Sequence, residues 1–105
     1  MTSAEYVDFK GLPAGSRLEV ETKNRHYQIE CLGGSAMRIS GHPEYCPTPV
    51  AGKLQGSSEK GGMIEPGLIW RGKYLQFLLD DRRPVTTSRV VRVRVERPAQ
   101  HISIH

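Results

Sequence analysis

The sequence predicts an all-β domain, a small antiparallel β-barrel of six to seven short strands, with a β-sandwich as the alternative. Three observations predict it. Apolar and polar residues alternate with a period of two in several short stretches, most clearly in Arg17–Thr22 and Arg89–Glu96. Turn signals built from Gly, Pro, Asn and Asp recur every eight to twelve residues or so, the spacing of hairpin-linked strands. No run of ten residues carries helical periodicity, which argues against βαβ units. A closed sheet is preferred over an open one because closure removes the exposed edges that so many short strands would otherwise leave.

The chain has 105 residues, of which eleven are glycine and seven proline. That length suits one hydrophobic core, and the turn-forming composition favours short elements. The expected organisation is an N-terminal arm over 1–16, a single barrel domain over 17–97 and a flexible tail over 98–105. Within the arm, Leu12-Pro-Ala-Gly15 reads as a bend leading into the first strand.

Strand one is Arg17–Thr22, with Leu18 and Val20 on one face and Arg17, Glu19 and Glu21 on the other. Lys23-Asn24-Arg25 supplies a turn, and His26–Leu32 returns with Tyr27, Ile29 and Cys31 on one side, making a hairpin. Gly33-Gly34 tolerates the positive φ of a tight hairpin turn, so Ser35–Ser40 follows as a strand with Met37 and Ile39 inward. Gly41–Pro49 holds three prolines, which remove ladder donors, and is expected to be an ordered loop crossing to the other side of the barrel.

Val50–Leu54 is a short strand, and Gln55–Gly62 is expected to be the most mobile loop because nothing apolar anchors it. Ile64–Trp70 leads through Arg71-Gly72 into a strand over Lys73–Leu79, and Asp80–Pro84 is a hairpin tip. In the last strand, Arg89–Glu96, alternation places Val91, Val93 and Val95 on one face and Arg92, Arg94 and Glu96 on the other.

The net charge of +4 is unevenly placed. Met1–Trp70 carries seven Lys/Arg against eight Asp/Glu, a net −1, whereas Arg71–Arg97 carries eight against three, a net +5. A basic stripe of this kind attracts phosphates or acidic partners, and it equally serves to keep a strand edge solvated. The two cysteines, Cys31 and Cys46, form no disulfide-dense pattern, and the N-terminus lacks the apolar stretch of a signal peptide. A cytoplasmic location is the expectation. No apolar run approaches the length of a membrane span.

Val20-Glu-Thr-Lys-Asn-Arg-His-Tyr27, Gly41 with Pro43, Gly56-Ser57, Gly67-Leu-Ile-Trp-Arg-Gly72 and Thr87-Ser-Arg-Val90 together resemble a group of short bacterial proteins of unknown function. The resemblance covers roughly Leu18–Val91. It implies a compact all-β fold in a cytosolic bacterial protein, and it carries no activity across. The prolines and Cys46 in the Gly41–Pro49 loop depart from that pattern.

Chemistry-bearing residues are few. His42 and Cys46 have a usable metal-ligand spacing, and His26 and Cys31 are the other candidates, yet no paired knuckle of the zinc type occurs. Being five apart on one strand, His26 and Cys31 point to opposite faces. Thr86, Thr87 and Ser88 offer hydroxyls beside Arg89, but hydroxyls entering a strand more often satisfy local backbone groups than act as nucleophiles. Asp80 and Asp81 pair carboxylates at a hairpin tip, where little burial is available to raise a pKa. No cofactor is implied.

The leading expectation is therefore a non-catalytic binding module that presents loops, chiefly Gly41–Pro49 and Gln55–Gly62, on a rigid barrel. Its partner is a protein or a small molecule, and a homodimer through an edge strand is a further expectation. The sharper alternative is single-stranded nucleic acid, RNA above all. In that reading Trp70 supplies a stacking platform and Arg71, Lys73, Arg89, Arg92 and Arg94 supply phosphate contacts. A zinc-binding protein or a small enzyme ranks below both.

Overall fold

The computed structural model describes residues 5–59 and 62–98. Nine strands and one short 3-10 turn succeed one another as β1 (Tyr6–Asp8), the 3-10 turn Phe9–Gly11, β2 (Arg17–Thr22), β3 (His26–Gly33), β4 (Ala36–Ser40), β5 (Val50–Ser58), β6 (Glu65–Pro66), β7 (Leu68–Trp70), β8 (Tyr74–Leu79) and β9 (Pro84–Glu96). Antiparallel pairing runs β4-β3-β2-β9-β8-β5, and β5 pairs back onto β4. Six strands thus close into a barrel, with β6 attached alongside the distal half of β5. The all-β barrel expected from the sequence is the architecture observed.

The alternating inward residues fill the barrel. Leu18, Val20, Tyr27, Ile29, Met37, Ile39, Leu54, Leu75 and Phe77 are all at most 2% exposed and form one contiguous cluster. Each such side chain contributes about 1.5–3 kcal/mol on burial. Tyr27 and Phe77 meet edge to face with ring centroids 5.9 Å apart, the arrangement the ring quadrupoles favour.

In its described part, the expected N-terminal arm over 1–16 is tied to the barrel. Tyr6–Asp8 pairs with β7, the Phe9 N–H donates to the Gly67 carbonyl, and Val7, Phe9 and Leu12 are buried in the core. These three apolar residues are scattered among polar ones, so no periodicity announces them. The expected tail falls largely on 99–105, outside the described residues.

The Gly41–Pro49 loop is ordered but does not cross the barrel. It reverses the chain between adjacent strands, since Ile39 pairs with Val50 and Ala36 with Lys53. The prolines stop the ladder without redirecting the chain, because the Gly41 N–H bonds the Cys46 carbonyl and the Cys46 N–H bonds the His42 carbonyl.

Likewise, Gln55–Ser58 is strand rather than mobile loop. Gly56, at φ +147°, lies so close to β6 that a Cβ there would sit 2.0 Å from the Glu65 carbonyl oxygen. The rest of that expected loop includes Lys60 and Gly61, which lie outside the described residues.

β9 departs most instructively from simple alternation. Its register slips by one residue against β8, where Tyr74 and Gln76 face Arg89 and Thr86, and again against β2, where Glu21 and Thr22 face Arg92 and Val90. Each slip is a β-bulge, and each resets the parity of the side chains. Inward positions are therefore Val85, Thr87, Val90 and Val93, while Val91 points out and is 44% exposed. The expected row of Val91, Val93 and Val95 is broken at Val91. At the first bulge Thr87 Oγ1 accepts from the Leu75 N–H and donates to the Ser88 carbonyl, supplying the hydrogen bonds the bulge removes from the ladder.

Candidate binding surface

The residues expected to bind nucleic acid fall into two neighbouring groups. Trp70, Arg71, Lys73 and Arg89 gather where β7 turns into β8. Tyr6 lies against the Trp70 ring at a centroid distance of 4.7 Å and an interplanar angle of 30°. Lys73 Nζ sits 5.0 Å from the Trp70 ring centroid and donates to the Glu65 carboxylate. That donation holds the Glu65 carboxyl below its ordinary pKa. Arg71 pairs with Glu5 at 3.0 Å. Arg89 lies over the Tyr74 ring at 4.9 Å and donates to the Gly72 carbonyl at 2.8 Å. The indole ring and each of these cations are thus engaged within the chain, while the buried Trp70 Nε1 finds no hydrogen-bond partner among the described residues.

Arg92 and Arg94 lie on the outer face of β9, where the cross-strand register decides their electrostatics. One row across β9, β2 and β3 reads Arg92, Glu21, His26; the next reads Arg94, Glu19, Gln28; the third, continued onto β4, reads Glu96, Arg17, Glu30, Arg38. Four arginines face four glutamates. Arg94 meets Glu19 at 2.8 Å and Arg38 meets Glu30 at 3.0 Å, while His26 Nε2 is 3.9 Å from Glu19. The basic stripe of the sequence becomes an alternating lattice close to neutrality. A nucleic acid would have to displace those carboxylates before its phosphates gained anything.

His42 and Cys46, the candidate metal ligands, are brought together by an isolated bridge but face different environments. His42 Nδ1 accepts the backbone N–H groups of Glu44 at 3.1 Å and Tyr45 at 3.2 Å. Its ring is thus a cap for the turn. Cys46 is fully buried, and burial pushes its thiol pKa up, partly offset by a backbone hydrogen bond at His42. His26 is exposed and Cys31 buried, on opposite faces of β3 as expected. Burial also pushes the Cys31 thiol up, to about 11, so neither cysteine is poised as a thiolate near neutral pH. Both are free cysteines. Among the described residues no group of three or more His, Cys, Asp or Glu could hold a metal ion.

No family model, curated protein or solved structure matches the chain. Local geometry therefore carries the functional reading.

The turn capped by His42 creates a surface that the sequence did not single out. Tyr45 stacks on the His42 ring with centroids 4.3 Å apart and planes at 26°, and the Arg83 guanidinium lies 5.5 Å from the Tyr45 ring centroid. Arg83 belongs to the β8–β9 hairpin, whose tip is tied to β5 by a bond from the Asp80 N–H to the Ala51 carbonyl. Within that tip Asp81 accepts from both the side chain and the backbone of Arg83, which lowers its carboxyl pKa. His42, Tyr45 and Arg83 form a column joining two loops at one end of the barrel. Tyr45 is 38% exposed on it. In sequence the three residues lie as much as forty-one positions apart, so only the β5–β8 pairing brings them together.

Among the described residues no helix is long and apolar enough to cross a membrane.

Proposed function

We propose that the protein is a non-catalytic interaction module whose working surface is the column His42, Tyr45 and Arg83 on the β4–β5 and β8–β9 loops. The observation that carries this reading is the pre-organised Tyr45: its ring is stacked on His42, whose Nδ1 is in turn fixed by two backbone N–H groups. A rigid, exposed tyrosine beside an arginine is the combination that dominates protein interfaces, because large contact area is presented at little entropic cost. The partner class is a protein or peptide, and two buried, reduced thiols suit a cytoplasmic setting. The resemblance to short bacterial all-β proteins adds no activity, so the reading rests on this geometry.

Selection of a random peptide library on the immobilised full chain tests it. Enriched peptides should lose about tenfold or more in affinity for Tyr45→Ser, a loss of roughly 1.4 kcal/mol. Peptides that bind the variant as well as the wild type would overturn the proposal. Nucleic acid is the competing reading, and the neutral lattice on β2 and β9 weighs against it. Oligonucleotide titration at low salt should show no binding that falls steeply with added salt; a steep slope abolished by Arg92→Ala or Arg94→Ala would favour nucleic acid instead.

A further inference from the structure

β9 outruns its neighbour. Val90 is the last residue answered on the β8 side, its carbonyl accepting from the Gly72 N–H at 2.7 Å and its N–H donating to the Lys73 carbonyl at 2.9 Å. Beyond it, Arg92–Glu96 pairs with β2. Among the described residues no strand lies along the opposite side.

Which backbone groups are left facing that side follows from the ladder. On β2, the Thr22 N–H bonds the Arg25 carbonyl and the Ser16 carbonyl accepts from the Cys31 N–H, so even-numbered residues direct their backbone groups to β3. Odd-numbered Arg17, Glu19 and Glu21 then face β9, where Glu96, Arg94 and Arg92 answer them. Val93 and Val95 consequently aim their N–H and C=O groups away from β2. Val95 is 38% exposed, leaving apolar surface next to unanswered backbone groups.

We infer that a second copy of this chain occupies the edge, pairing β9 antiparallel with β9 of its partner about a two-fold axis at Arg94. Charge and length select that register. Centred on Arg94, the pairing spans Arg92–Glu96, the whole regular stretch between the bulge at Val91 and the end of the strand. It sets Arg92 opposite Glu96 of the partner subunit twice, and it joins Val93 and Val95 of the two copies by four backbone hydrogen bonds. The central pair of arginines is compensated, since each Arg94 is bound to its own Glu19 at 2.8 Å.

The competing registers are worse. Centring on Val93 opposes Arg92 to Arg94 of the partner subunit twice, and brings Glu96 opposite Val90, whose backbone groups are already engaged. Centring on Val95 keeps only three residues within the strand and carries the pairing towards Pro98, which has no N–H to offer. The area involved is small, so the dimer is weak and reversible.

The register prescribes its own test. Sedimentation equilibrium of the full chain from about 1 μM to about 1 mM should show a monomer–dimer equilibrium. Arg92→Glu opposes two glutamates and Glu96→Arg opposes two arginines, so each variant alone should dimerise about tenfold or more weakly. Mixed together, the two variants restore both opposite-charge pairs and should form a heterodimer as well as the wild type does. Both side chains are exposed, and circular dichroism checks that each variant folds. Val95→Pro removes an edge donor without touching the β2 ladder and should abolish the dimer. A wild-type chain that stays monomeric throughout, single variants that dimerise undiminished, or a mixture that stays monomeric each overturns the inference.

Discussion

Replacing Ser57 by alanine removes a single oxygen from a fully buried site, yet that oxygen joins two segments of the chain. Ser57 Oγ donates to the Leu68 carbonyl at 2.7 Å and accepts from the Trp70 N–H at 2.9 Å. It therefore ties β7 to β5 where the two strands do not form a regular ladder. Alanine fits the same space, so no packing is lost and the cost is that of two backbone groups left unanswered. At about 1–3 kcal/mol for a buried group, discounted because Leu68 and Trp70 are only partly buried, the loss comes to about 2–3 kcal/mol. For a domain of this size that lowers Tm by roughly 10 °C.

Trp70 is the only tryptophan in the chain, and it sits at the point released. Guanidinium unfolding followed by tryptophan fluorescence and by far-UV circular dichroism should coincide for the wild type. In Ser57→Ala both transitions should move to lower denaturant. Ser58→Ala is the internal control. It loses one side-chain bond, from Gln76 Nε2 at 2.8 Å, and should cost about 1 kcal/mol. A Ser57→Ala variant within about 0.5 kcal/mol of wild type, or one no worse than Ser58→Ala, would refute the bridging role.

Three other outcomes follow from the same coordinates. Gly56→Ala places a Cβ against the Glu65 carbonyl and forces an L-residue to φ +147°, so it should destabilise by about 3 kcal/mol or more in chemical denaturation. Arg82 holds φ +64° at the β8–β9 tip, and Arg82→Gly should raise stability by about 1 kcal/mol, read as a higher Tm. Burial lifts the Cys31 thiol from 9.0 to about 11, so the folded chain keeps a proton that the unfolded chain releases. Stability is then fully present below pH 9.0 and falls as the pH rises towards about 11, and Cys31→Val should flatten that limb when denaturation midpoints are compared across the window.

Most of the barrel was legible because its strands announce themselves locally. Arg17–Thr22 alternates without interruption and is observed as β2 over the same residues, and His26 and Ala36 open strands within a residue of their expected starts. What failed was whatever depends on residues far apart in the chain. β5 runs on through Gly56-Ser57-Ser58 because β6, β7 and β8 come back to pair with it or bond to it, and nothing within Gln55–Gly62 reveals those partners. Val7, Phe9 and Leu12 look like residues of an arm until β7 is in place to receive them. The column of His42, Tyr45 and Arg83 was invisible for the same reason.

The charge of β9 shows why a local count misleads. Arg71–Arg97 is strongly basic as a segment, but a strand presents its charge next to whatever strand closes the barrel beside it. Here that strand is β2, the first strand of the barrel, whose outward Glu19 and Glu21 stand opposite Arg94 and Arg92. Closure of the barrel and neutralisation of the stripe are one event. The bulge at Val91 limits how far that closure extends, because the register slip comes just where β8 stops answering β9. Shifting the parity by one residue turns Val91 outward and leaves Val93 buried while its backbone groups face the open side. The same β9 paired with β2 without that bulge would set Arg92 opposite Val20, where Val93 now packs, and bury a guanidinium in the core, so the bulge that opens the edge is also what keeps the arginines on the surface.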